Sequence, residues 1–177
     1  MSKFGKWATW IILALAITGC ETTGRSVRDG DGVDNLAVLE ALKQPEKGGI
    51  KVEVEANAGG NYHLGDPIRF KITSARKSRL WIITVNSENQ AELLFPHGKD
   101  DENTLDANQE YLFPPRDSKQ TLHADKPYGK TALAFIVTGK DTELGDIVRL
   151  KNGNLRNVSF GSDTQWGVAK LTVNVER

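Results

Sequence analysis

The chain has 177 residues, with 23 basic side chains, 23 acidic side chains and a single cysteine. This balanced charge argues against a nucleic-acid or polyanion partner, which would need a clear basic excess. One cysteine excludes an internal disulfide, so a folded domain must be stabilised by its hydrophobic core. The length is sufficient for one domain with a core of its own.

The first twenty residues have the features of an export signal. Lys3 and Lys6 form a basic start, and residues 7–17 are apolar except for Thr9. This run is shorter than the roughly 20 residues that a membrane-spanning helix needs. It leads into the tetrapeptide Ile-Thr-Gly-Cys ending at Cys20, which resembles the lipobox of bacterial lipoprotein precursors.

The lipobox resemblance implies that residues 1–19 are a signal peptide and that Cys20 is acylated at the new N-terminus. Two or three acyl chains make attachment effectively permanent, because one chain alone binds only reversibly. Glu21 stands where Asp signals inner-membrane retention in enterobacterial lipoproteins, so the outer membrane is the expected location. Acylation also consumes the sole thiol. We therefore expect no redox chemistry and no cofactor.

Residues 20–48 are predicted to be the lipidated Cys, a tether and a short helix. Residues 21–32 are polar and glycine-rich, which is typical of a flexible tether. Asp34 is positioned to cap a helix that Pro45 ends. We expect the apolar stripe of this helix to dock on the domain; it consists of Leu36, Leu39 and Leu42.

From residue 49 to 177 the apolar pattern is that of β-strands. The predicted strands are 50–54, 68–72, 80–85, 91–95, 111–113, 131–138 and 169–175, with short elements possible at 119–123 and near 147–148. Residues 80–85 are apolar throughout, which predicts a central strand covered on both faces. Turn signals about every ten residues favour an antiparallel β-sandwich, either immunoglobulin-like or a partly open barrel. Helical patterns between the strands are missing, which argues against a βαβ fold.

Several landmarks then occur in a characteristic order. They are Tyr62–Ile72, the strand Ser78–Ile83, Leu93–Pro96, Asn103 with Leu105, Tyr111–Pro114, and Pro127–Gly129 before an apolar strand. This order resembles the DUF4384 family over roughly Asn61–Lys140. The family is a domain of unassigned function in bacterial envelope proteins, also found beside kinase-like or caspase-like domains. The resemblance implies an architecture and supplies no catalytic residues.

Two groups of residues are candidate sites. Asp100, Asp101, Asn103 and Asp106 supply side-chain oxygens, which a hard cation such as Ca²⁺ prefers. The spacing of an EF-hand is absent, so a solvated loop is the favoured alternative. Arg76, Lys77 and Arg79 form a basic cluster that could steer a charged partner, or a solvated hairpin tip. Trp166 is either an exposed aromatic at a binding surface or, as we favour, a cover at a strand end.

The remaining motifs do not support catalysis. The three histidines have no zinc-ligand spacing, and no Gly-x-Ser-x-Gly elbow is present. The sequence therefore predicts a non-catalytic, lipid-anchored β-sandwich that binds or scaffolds another envelope component, which we expect to be a protein. The alternative is a module that binds a small ligand, peptidoglycan or a cation.

Overall fold

The computed structural model describes residues 32–98, 102–116, 121–158 and 164–177. The predicted signal peptide, Cys20, Asp100 and Asp101 lie outside the described residues. Gly32–Arg177 forms a compact unit, which includes the predicted helix. No helix among the described residues is both long enough and apolar enough to cross a membrane.

The described residues contain one α-helix, two short 3-10 turns and eleven strands. The helix α1 is Asn35–Ala41, and the 3-10 turns are Asn57–Gly60 and Leu144–Asp146. The strands are β1 (Val52–Ala56), β2 (Asn61–His63), β3 (Phe70–Ser74), β4 (Ser78–Val85), β5 (Ala91–Phe95), β6 (Thr104–Leu105), β7 (Glu110–Phe113), β8 (Gly129–Thr138), β9 (Val148–Lys151), β10 (Asn154–Asn157) and β11 (Trp166–Glu176).

These strands form three sheets. The largest has the order β2-β11-β8-β4-β5, with β6 also paired to β4. A second sheet has the order β1-β3-β7, and β9 pairs with β10 in a separate hairpin. All of these pairs are antiparallel except β2 with β11, which run parallel. The predicted all-β sandwich with a short N-terminal helix is confirmed, and no path through the described strands closes into a barrel.

The central strand β4 is covered on both faces, as its continuous apolar run predicts. Leu80 and Ile82 face a core shared with the three-stranded sheet, whereas Ile83 and Val85 face a second core. Successive side chains of a strand point to opposite faces, so an unbroken apolar sequence buries both. Phe70 and Phe135 tie the two sheets together, with their ring centroids 5.0 Å apart in an edge-to-face arrangement.

The second core is closed by α1 and the β9–β10 hairpin. Asp34 caps the helix by accepting a hydrogen bond from the Ala37 amide at 3.0 Å. Leu39 and Leu42 are buried against the large sheet, and each such side chain contributes about 1.5–3 kcal/mol. Lys170 then donates to two carbonyls at the end of the helix, those of Glu40 and Leu42. The predicted helix is therefore docked on the domain through Leu39 and Leu42, whereas Leu36, the third residue of the predicted stripe, is 41% exposed.

Three strands have no counterpart in the sequence prediction. They are the short strands β2 and β6, and the second strand of the β9–β10 hairpin. The sequence predicts only one short element near residues 147–148. The structure has two strands in this region, β9 and β10, which a two-residue turn at Asn152-Gly153 joins. Both turn residues have positive φ, at 52° and 75°. Asn-Gly is the pair that most favours such a turn.

Candidate functional site

Arg79, one of the three predicted binding cations, is engaged in holding a turn together. Its Nη1 lies 2.8 Å from Glu143 Oε1, and its Nη2 donates to the carbonyls of Thr142 at 2.7 Å and Lys140 at 3.2 Å. The guanidinium is also 5.8 Å from the ring centroid of Trp81. Arg79 therefore fixes the turn that follows β8.

The other two predicted cations differ from Arg79 and from each other. Lys77 Nζ lies 3.4 Å from Asp106 Oδ1, with both side chains largely exposed. Arg76 is exposed, and within the described residues only its backbone forms hydrogen bonds, both with the Ser74 hydroxyl. The structure thus places the three side chains in different settings and leaves Arg76 as the freely solvated one.

Trp166 begins β11 inside the second core. Its side chain is 0% exposed, and its carbonyl accepts a hydrogen bond from the Ile50 amide at 2.9 Å. This placement corresponds to the strand-end cover that the sequence favoured. A buried ring offers no surface to a partner without rearrangement of the core.

Two of the four predicted cation ligands are described. Asn103 exchanges hydrogen bonds with β4: its Nδ2 donates to the Leu80 carbonyl at 3.1 Å, and its carbonyl accepts from the Leu80 amide at 2.8 Å. Asp106 pairs with Lys77 as described above. Within the described ranges, no three His, Cys, Asp or Glu side chains converge on a position suited to a metal ion. Because Asp100 and Asp101 are outside those ranges, the cation site remains a prediction.

A cleft of about 650 Å³ opens at the end of the sandwich where α1 begins. Four separate parts of the chain line it: residues 32–35, the turn between β4 and β5, the segment before β8, and the β9–β10 turn. We call it the amide cleft because six of its lining side chains carry amides: Asn35, Asn86, Asn89, Gln90, Asn152 and Asn154. A neighbouring concavity of about 790 Å³ shares Asn86 and Asn89 and continues along α1.

Two of these amides build the walls of the cleft. Asn35 is buried, and its Nδ2 donates to the carbonyls of Asn89 at 2.6 Å and Gly153 at 2.8 Å. Its Oδ1 accepts from the Leu155 amide at 2.7 Å. Asn89 Nδ2 donates to the Val33 carbonyl at 2.8 Å. These bonds join the helix start to both turns, so the walls are held in place before any ligand arrives.

Other polar groups of the cleft are available to a ligand. Asn86 Oδ1 shapes its turn by accepting from the amides of Glu88 and Gln90. The side chains of Gln90, Glu92 and Asn152 form no hydrogen bond or ion pair with any other described residue. The amides of Gln90 and Asn152 each present a donor and an acceptor, whereas the Glu92 carboxylate can only accept.

The charged residues of the cleft are nearly balanced. Glu92 and Asp125 are acidic and Lys126 is basic. The Lys126 ammonium lies 6.0 Å from the ring centroid of Tyr128, a cation–π distance. The cleft is therefore polar and nearly neutral, and the groups it presents to a molecule from outside are mainly hydrogen-bonding ones.

The described residues form an all-β sandwich domain with a polar cleft at one end. Residues 61–141 match a family model described as "Domain of unknown function (DUF4384)". The match confirms the resemblance that the sequence landmarks indicated over almost the same residues. It covers β2 to β8, so α1 and the β9–β10 turn, which complete the cleft, lie outside the matched segment. Comparisons with curated proteins and with solved structures returned no match.

Proposed function

We propose that this chain is a lipid-anchored protein of the bacterial envelope whose sandwich domain binds another envelope component without catalysing a reaction. The amide cleft is the observation that carries the binding role. Its volume of about 650 Å³ is within the range of roughly 300–1,000 Å³ found for ligand pockets. The lipobox ending at Cys20 supports the anchor, and the matched DUF4384 segment is compatible with both parts of the proposal.

The cleft suits a hydrogen-bonding segment of a partner protein. The polar side chains that no other described residue engages come from two places in the chain: Gln90 and Glu92 from the end of the β4–β5 turn and the start of β5, and Asn152 from the β9–β10 turn. Leu36, which is 41% exposed in the neighbouring concavity, adds an apolar contact. An exposed loop offers main-chain donors and acceptors together with apolar side chains, so it can use both. Because Asn35 and Asn89 already fix the walls, little ordering is required on binding.

The binding role is tested by removing the free polar groups together. In a Gln90→Ala/Glu92→Ala variant, we expect crosslinking in intact cells followed by affinity purification to lose a specific protein partner. Glu88→Ala is the matched control, because Glu88 lies in the same turn but does not line the cleft. Recovery of only murein fragments with the wild type would support the peptidoglycan alternative. Equal recovery of the partner with the wild type, the double variant and Glu88→Ala would contradict a role for the cleft.

The anchor is tested separately. Intact-mass analysis of the purified protein should show a chain that begins at Cys20 and carries acyl chains. A Cys20→Ala variant should lose this modification and leave the outer-membrane fraction. A mass that still includes residues 1–19 without acyl chains would contradict the lipoprotein assignment and leave the cleft experiment unaffected.

A further inference from the structure

The β9–β10 hairpin has one buried face and one face turned to solvent. Val148 and Leu155 are each 1% exposed and pack in the second core. Their neighbours Arg149 and Arg156 are exposed, as is Lys151 two residues further along β9. Since side chains alternate between the faces of a strand, these three cations form the outer face of the hairpin.

Two of the cations are directly opposed. Arg149 is the register partner of Arg156 across the hairpin, and Lys151 is opposite Asn154. Like charges directly opposite each other on neighbouring strands are destabilising. The hairpin therefore keeps an unfavourable pair at a position where an acidic residue on either strand would have formed a favourable one.

The outer cations also differ from other basic residues of the domain. Lys51, Lys71 and Lys77 each lie within 4.0 Å of a carboxylate. Arg149, Lys151 and Arg156 form no ion pair with any described residue. Among the described residues, no carboxylate therefore compensates their charge at short range. Salt screens charges that are more than about 10 Å apart, so the near-zero net charge of the whole chain does not offset this local excess.

The hairpin lies beside the point at which the chain leads towards Cys20. Its turn and residues Gly32 and Val33 line the same cleft, and Asn35 is bonded to the Gly153 carbonyl. Residues 21–31 connect Cys20 to Gly32, and an extended segment of this length spans about 40 Å. An acylated Cys20 would thus hold the hairpin within reach of the bilayer.

We propose that Arg149, Lys151 and Arg156 form a contact surface for the anionic headgroups of the membrane to which the protein is attached. The inference rests on the proposed lipid anchor. Guanidinium groups match phosphate oxygens with two parallel hydrogen bonds. Each basic side chain near an anionic surface strengthens attachment about five-fold. A headgroup phosphate would also relieve the repulsion between Arg149 and Arg156.

The test uses the full protein as the cell produces it, reconstituted in vesicles. Cys20 is the only cysteine, so once it is acylated an Asn154→Cys substitution provides one thiol for a fluorophore at the hairpin. Energy transfer to headgroup dyes is compared between phosphatidylcholine vesicles and vesicles that also contain phosphatidylglycerol. We expect higher transfer in the anionic vesicles, and loss of that difference when salt rises from about 0.1 M to about 1 M.

Three variants isolate the hairpin cations. Arg149→Gln/Lys151→Gln/Arg156→Gln should lose the difference, whereas Arg149→Lys/Arg156→Lys should retain it. The control variant removes three exposed cations elsewhere on the domain, as Arg69→Gln/Arg76→Gln/Arg116→Gln. It should also retain the difference between neutral and anionic vesicles. A cooperative thermal transition of the first variant, with a midpoint no lower than that of the wild type, would establish that it folds.

Two results would overturn the proposal: equal transfer in neutral and anionic vesicles, or a difference that survives loss of all three hairpin cations. The triple Gln variant could instead lose an acidic protein from crosslinked envelopes while its energy transfer to the headgroup dyes stays unchanged. That result would identify a protein, rather than the membrane, as the partner of the hairpin. Failure of the anchor is detected independently by mass analysis before labelling. In that case the labelled protein also carries Cys20→Ser, which keeps the label on residue 154 alone, and its addition from solution to the same vesicles still tests the hairpin.

Discussion

Asn35 and Asn89 bind each other's segment reciprocally. Asn35 Nδ2 donates to the Asn89 carbonyl at 2.6 Å, and Asn89 Oδ1 accepts from the Leu36 amide at 3.2 Å. One residue begins a helix and the other has positive φ, at 60°, in the turn between β4 and β5. The pair therefore fastens the N-terminal helix to a sheet that is formed mainly by residues much later in the chain.

Replacing Asn35 by Ala should destabilise the domain by about 2–4 kcal/mol. The change removes three hydrogen bonds and leaves two carbonyls and the Leu155 amide without this partner in a buried setting. Urea unfolding followed by tryptophan fluorescence measures the difference. Asn154→Ala is the control, since its exposed side chain makes one long bond, and we expect it to change stability by less than about 0.5 kcal/mol. Equal effects of the two substitutions would refute the role given to Asn35.

Gly167 should not tolerate a side chain. A Cβ at this position would overlap the carbonyl oxygen of Ile50, where the chain before β1 approaches β11. Relieving the overlap requires moving backbone, so we expect Gly167→Ala to cost about 3 kcal/mol or to prevent folding. Gly145→Ala is the matched control, because no atom lies within 4 Å of a Cβ there. Circular dichroism and thermal unfolding distinguish the outcomes, and a wild-type midpoint for Gly167→Ala would show that the contact is absent in solution.

The segment that matches DUF4384 should not fold as an isolated fragment. Residues 61–141 contain β2 and β8 but lack β11, which separates them in the large sheet. Without β11, one long edge of β8 would expose unpaired amides and carbonyls over a ten-residue register. We expect residues 32–177 to unfold cooperatively in urea and residues 61–141 to show no transition. A cooperative transition for the shorter fragment would contradict this.

Ionisation of Tyr62 should lower the free energy of unfolding at high pH. The ring is buried, its hydroxyl donates to the Asn57 carbonyl at 2.7 Å, and burial raises the pKa of Tyr62 above its ordinary value. The folded protein therefore favours the neutral phenol, so this contribution is complete below about pH 10 and is lost as pH rises through the folded pKa. Tyr62→Phe should lose about 1 kcal/mol at neutral pH and should show a smaller decline at high pH. The measurement is the urea midpoint of the wild type, of Tyr62→Phe and of the control Tyr128→Phe across this pH range. Parallel declines in the wild type and in Tyr62→Phe would refute the prediction.

Much of the sandwich could be predicted from local sequence pattern. The apolar run at 80–85 predicted a doubly buried strand because it specifies both faces at once, and β5 has the bounds that were expected. The strand β2 was missed because three residues carry too little periodicity, and its parallel partner β11 lies more than a hundred residues away. The β9–β10 hairpin could have been found from Asn152-Gly153, a strong turn signal within a charged segment.

The amide cleft could not be predicted from the sequence in the same way. Gln90, Glu92 and Asn152 line one cleft only because the start of β5 and the turn before it meet the distant β9–β10 turn at one end of the sandwich. The basic residues illustrate the converse. Arg76, Lys77 and Arg79 are close in sequence, yet their side chains have three different environments, since strand alternation and nearby acids separate them.

The position of β11 also constrains when the domain can form. Trp166–Glu176 is inserted between β8 and β2, with Asn61 in register with Asn174. Any growing chain that ends before residue 166 lacks the strand that completes its largest sheet. Contacts so distant in sequence also form slowly. The largest sheet of the nascent polypeptide therefore cannot be completed until the last strand has been synthesised.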